Sequence, residues 1–117
     1  MKLHRPKAIR VEFEDGESIV IKARRVSWSY GLEWAEEWDD CEGRERVDLA
    51  YRALVDHVDS VDGVEDEDGP VPYPCDDDEA AREYLEAVLS PRQAVEVATH
   101  LVYEDSAGKS LASVGTA

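Results

Sequence analysis

A chain of 117 residues, 43% hydrophobic and 35% charged, has the size of one domain with one core, which excludes a multidomain enzyme and leaves no need for disulfides or a metal to hold the fold. Its formal net charge of −15 repels phosphates and anionic lipid, so nucleic-acid and membrane partners are not expected and basic partners are favoured. The charge is also unevenly placed: residues 1–25 hold seven Lys/Arg and four acids, residues 26–117 six against twenty-four.

Residues 7–26 contain two alternating β-branched runs around Asp15-Gly16, a strong hairpin signal. A three-residue loop, Glu14-Asp15-Gly16, sets Val11 against Ile19 and Ile9 against Ile21, and gathers Ile9, Val11, Phe13, Ile19, Ile21 and Ala23 on one face. An isolated hairpin is marginal in water, so that face needs helices to cover it. Ser29 is the expected cap of a short helix reaching about Cys41, with Trp34 and Trp38 four apart and Gly43 ending it. From Arg44 to about Val61 the apolar positions Val47, Ala50, Tyr51, Leu54, Val55, Val58 and Val61 recur at helical spacing and predict one amphipathic helix.

Residues 62–78, with Gly63, Gly69, Pro70, Pro72 and Pro74, read as a long connection with extended turns. A carboxylate among Asp76–Asp78 caps the next helix, about 78–89, with Ala81, Tyr84, Leu85, Val88 and Leu89 inward. Ser90-Pro91-Arg92-Gln93 is a capping-box pattern that opens a further helix to about Tyr103, its stripe being Ala94, Val97 or Ala98, Leu101 and Val102. The expectation is a single α+β domain over residues 1–104, an N-terminal β-hairpin packed against about four short α-helices, followed by a flexible C-terminal tail over 105–117.

The residue types that carry chemistry are sparse or scattered. Only Cys41 and Cys75 occur, which is no disulfide framework and suits a reducing compartment. The start MKLHRPKAIR lacks the apolar segment of a secretory signal, and no apolar run exceeds three residues, so a soluble cytoplasmic protein is expected. His4, Cys41, His57, Cys75 and His100 are too widely spaced for a zinc site, and neither Gly63 nor Gly69 stands in an EF-hand loop with the required acids. No nucleophile elbow or phosphate-binding glycine loop is present, so no catalytic, cofactor-binding or metal residues are assigned and the chain is read as a non-enzyme.

Two features invite a binding reading. All three tryptophans, Trp28, Trp34 and Trp38, fall with Tyr30 inside eleven residues, either as a lid on the hairpin or as an aromatic patch for a partner. Residues 56–79 contain eleven acids and no Lys or Arg, which either keep the protein in solution or imitate a nucleic acid.

The order of these features resembles the tail assembly chaperones of long-tailed bacteriophages. The shared stretch runs as acidic-Gly-Val, acids, Asp-Gly, then a Pro-hydrophobic-Pro-aromatic run before a capped helix. This chain carries Asp62-Gly63-Val64, Asp68-Gly69 and Pro72-Tyr73, with Ser60-Val61 where relatives commonly have tryptophan. The likeness covers roughly residues 8–103 in layout and 61–73 in residues. In that family the short protein is often extended by a minus-one ribosomal slip at a GGGAAAR heptamer, which Ala107-Gly108-Lys109 is able to encode.

The resemblance implies a protein of the host-cell cytoplasm that coats the tape-measure protein before tail polymerisation and, in a longer form, delivers tail-tube subunits. Tyr30, Trp34 and Trp38 would then supply the sticky patch, and Asp66, Glu67 and Asp68 would keep the coated complex soluble. A homo-oligomer is compatible with the uneven charge. The alternatives are a structural head-tail or tail adaptor of a phage or prophage, an acidic DNA-mimic inhibitor, and a small enzyme using paired carboxylates.

Overall fold

The computed structural model describes residues 7–107 and 113–114. Strand β1 (Lys7–Glu12) and strand β2 (Ser18–Ala23) form the antiparallel hairpin in the expected register, Val11 opposite Ile19 and Ile9 opposite Ile21. Phe13 and Glu17 close the ladder, with the Phe13 N–H donating to the Glu17 carbonyl at 2.8 Å, so the loop is Glu14-Asp15-Gly16. Gly16 sits at φ +90°, a left-handed conformation that costs a glycine nothing in sterics.

Helix α1 (Trp28–Asp40) is capped two residues earlier than expected, by Ser27 in place of Ser29. Ser27, in extended conformation, accepts from the Tyr30 N–H at 3.2 Å, which puts Trp28 in the first turn. Helix α2 (Arg44–His57) follows, with Leu49, Ala50, Tyr51, Ala53, Leu54 and His57 buried. It is shorter than the periodicity predicts, because Val58 and Val61 belong to strand β3 (Val58–Asp62), which pairs antiparallel with β2. The pairing skips Asp59: Ala23 faces Val58 while Lys22 faces Ser60. That bulge lets two valines three residues apart both point into the core, a spacing that imitates a helix.

The acidic connection is also more regular than expected. Strand β4 (Glu65–Asp66) pairs with strand β5 (Gly69–Pro70) in a second, two-stranded sheet whose turn is Glu67-Asp68. The Asp68 N–H donates to Asp66 Oδ1 at 2.8 Å, the local side-chain bond that favours Asp in such turns. At Gly63, φ +105°, a Cβ would lie 2.9 Å from the Ser18 carbonyl oxygen, so only glycine lets the chain leave β3 this close to β2.

Helix α3 (Asp78–Val88) is capped by Asp77, whose carboxylate accepts from the Glu79 and Ala80 N–H groups. The last helix, α4 (Pro91–Ala107), opens on the full capping box: Ser90 N–H to Gln93 Oε1 at 2.9 Å and Gln93 N–H to Ser90 Oγ at 3.2 Å. It extends past the expected end at Tyr103. Residues 108–112 and 115–117, where most of the predicted tail falls, lie outside the described residues. Strand β6 (Ser113–Val114) runs parallel to β1 at Arg10 and Val11, giving a main sheet in the order β3-β2-β1-β6.

One cluster joins the inward faces of all these parts. Ile9, Val11, Ile21 and Ala23 of the sheet meet Ala50, Leu54, Leu85, Leu89, Ala94, Val97, Ala98 and Leu101, each at most 1% exposed. Both alternatives considered for the α4 stripe, Val97 and Ala98, are buried. The opposite face of the sheet is polar, carrying the Arg10–Glu12 and Lys22–Asp62 ion pairs. The result is a mixed α+β domain in which the hairpin and four helices share one core.

Candidate functional site

Helix α1 has two apolar faces. Trp34 and Trp38, four residues apart, point inward and stack at 5.0 Å between ring centroids. Trp34 is 2% exposed and donates from its indole nitrogen to the Leu49 carbonyl at 3.2 Å. Trp38 is half-buried beneath the Arg46 guanidinium, 4.9 Å from the ring centre. Tyr30, also half-buried, donates to Asp56 Oδ2 at 2.7 Å and meets the His57 ring edge-on. Burial, then the adjacent Asp56 carboxylate, pushes the Tyr30 hydroxyl well above its ordinary pKa. Tyr30, Trp34 and Trp38 therefore hold α1 onto α2.

On the outward face, Trp28 of the tryptophan cluster stands beside Leu32, which sequence reasoning did not single out as a binding residue. Trp28 is 75% exposed and Leu32, four residues on, is 47% exposed. Tyr103, 44% exposed, stands across the seam on α4 and packs edge-on against Trp34 at 5.9 Å. The helices approach closely here: a Cβ on Gly31 would lie 3.6 Å from Val102 Cγ1. A signal existed in the sequence. Residues 28 and 32 share one side of a helix whose other side holds 34 and 38.

Charge surrounds that outward face. Helix α1 contains Glu33, Glu36, Glu37, Asp39 and Asp40, all exposed, and no Lys or Arg. Glu37 is bound by Arg52 of α2. The other four form no ion pair among the described residues. Asp66, Glu67 and Asp68, the remaining predicted site residues, are exposed at the tip of the β4–β5 hairpin. Among the described residues, no hydrogen bond or ring contact joins them to the α1 aromatics.

A larger concavity, about 900 Å³, lies open between α1, α2 and α3 over Val47, Leu49 and Tyr51. Part of its wall charge is paired within the fold. Arg82 bridges Asp48 at 2.6 Å and Glu86 at 3.3 Å, and lies over the Tyr51 ring. The apolar face of α1 with its unpaired acids is the stronger candidate for an external partner.

Among the described residues, no three His, Cys, Asp or Glu side chains are placed to hold a metal ion. The exposed Cys75 thiol donates to Asp76 Oδ1 at 3.4 Å, and that bond raises its pKa, which makes it a weak nucleophile at neutral pH. No helix among the described residues is long and apolar enough to cross a membrane. In comparisons with known proteins, no family model, no curated protein and no solved structure matches the chain.

Proposed function

We propose that this chain is a non-enzymatic tail assembly chaperone of a long-tailed bacteriophage, which holds the tape-measure protein in the host cytoplasm and, as a frameshifted longer form, recruits tail-tube subunits. The observation that carries the reading is the exposed apolar set Trp28, Leu32 and Tyr103 on an otherwise acid-rich body. A long amphipathic client exposes more apolar stripe than a soluble chain tolerates alone, and its chaperone needs an apolar patch ringed by solubilising charge. Asp66, Glu67 and Asp68, projecting on a tight hairpin, add that charge. The resemblance over Asp62–Tyr73 supplies the biological setting.

Co-expression with a phage tape-measure protein tests the reading. Replacing Trp28 and Leu32 together by Ala should abolish co-purification while circular dichroism and melting stay as in the parent. Recovery of the chain as a stoichiometric component of purified virions would instead establish the structural adaptor.

A further inference from the structure

We infer that the outer face of α1 docks a basic amphipathic helix of a partner protein, whose apolar stripe covers Trp28 and Leu32 and whose Lys or Arg side chains meet Glu33, Glu36, Asp39 and Asp40. The inference rests on the client-binding reading and adds the chemistry of the bound segment.

The first argument is complementarity. A helix of 13 residues is about 20 Å long, enough to pair with roughly four turns of another helix. Along it, Trp28 and Leu32 provide the exposed apolar positions, and all five charges are negative. A partner helix with an apolar stripe flanked by cations satisfies both at once; an acidic one would be repelled.

The second argument is that α1 is charged against its own interest. The carbonyl end of a helix is the negative end of its dipole and favours cations. Here Glu36, Glu37, Asp39 and Asp40 crowd the last five residues, and the last turn has no basic residue. Compensation inside the fold is partial: Arg52 binds Glu37, and Arg46 donates to the Trp38 and Cys41 carbonyls. A local arrangement that costs stability without internal return is a mark of a functional surface. A cationic partner removes the repulsion, so binding is strengthened by relief of strain already present in the free protein.

The test uses the full chain and a defined probe, an amidated Leu/Lys peptide of about 18 residues with leucines at i, i+3, i+4 and i+7, against the same peptide with Glu for Lys. Calorimetry should show binding of the Leu/Lys peptide alone, weakened by salt. The triple variant Glu33→Gln, Glu36→Gln, Asp39→Asn should lower affinity about tenfold or more and raise the melting temperature of the free protein. A second triple, Asp66→Asn, Glu67→Gln, Asp68→Asn, changes net charge equally and should leave affinity within about twofold.

Equal losses from both triples would overturn the inference, because the general field of the protein would then suffice. Full affinity in Trp28→Ala with Leu32→Ala would overturn it as well. If the phage client co-purifies but the Leu/Lys peptide does not bind, this inference fails and the chaperone reading stands. If the peptide binds through α1 and no phage client is captured, the reverse holds.

Discussion

The Trp34 indole nitrogen donates to the Leu49 carbonyl at 3.2 Å from a site only 2% exposed, and so ties the inner face of α1 to α2. Trp28, six residues earlier on the same helix, is 75% exposed. The two tryptophans should respond oppositely to truncation. Trp34→Ala leaves a large void and should cost about 3–5 kcal/mol. Trp28→Ala should change stability by no more than about 0.5 kcal/mol. Urea denaturation followed by far-ultraviolet dichroism separates them.

Tyr73 offers the converse case, a buried hydroxyl with no hydrogen-bond partner among the described residues. Its ring is 8% exposed and packs edge-on against Tyr84 at 5.4 Å. Tyr51 is comparably buried but donates to the Leu89 carbonyl at 2.8 Å. Tyr73→Phe keeps the ring contact and removes an unsatisfied polar group, so it should be neutral or stabilising by up to about 1 kcal/mol. Tyr51→Phe should lose about 1 kcal/mol by the same measurement, since a buried carbonyl is left behind.

Where sequence reasoning succeeded and failed follows from how local each signal is. The register of β1 on β2 was legible because only a three-residue loop sets Val11 against Ile19 and Ile9 against Ile21. The Ser90–Gln93 box was legible because both of its bonds are made within four residues. The end of α2 was not, because the bulge at Asp59 gives a strand the apolar spacing of a helix, and only β2 alongside reveals it. The site suffered the same way: which of Trp28, Trp34 and Trp38 faces outward depends on the phase of α1 against α2, a tertiary fact. Composition alone placed the surplus aromatics on that helix.

Alkaline titration should weaken the fold through its tyrosines. Burial pushes the Tyr73 hydroxyl up to about 12, and burial, joined by nearby acids, also raises Tyr30, Tyr51 and Tyr84 above their ordinary value. In the unfolded chain a tyrosine ionises near ~10. Above that pH the unfolded state releases protons that the folded state retains, so stability falls as pH rises. The contribution is fully present below about pH 10 and, for Tyr73, is exhausted near about pH 12. Urea midpoints across this window should decline, and Tyr73→Phe should shallow the decline.

Gly63 and Gly16 both have positive φ, +105° and +90°, but only one is crowded. A Cβ at Gly16 meets nothing within 4 Å, so Gly16→Ala should cost only the strain of a left-handed alanine, about 1 kcal/mol. At Gly63 the same Cβ meets the Ser18 carbonyl oxygen at 2.9 Å and the Ile19 Cα at 3.3 Å, backbone atoms of a paired strand that have no rotamer to escape into. Gly63→Ala must displace β3 from β2 or bend the entry to the β4–β5 hairpin, and should cost about 2–4 kcal/mol. Thermal melts of the two variants should rank them in that order. Equal, small losses would mean that the Asp62-Gly63-Val64 segment does not leave the sheet against β2, and the glycine there would lose its structural reason.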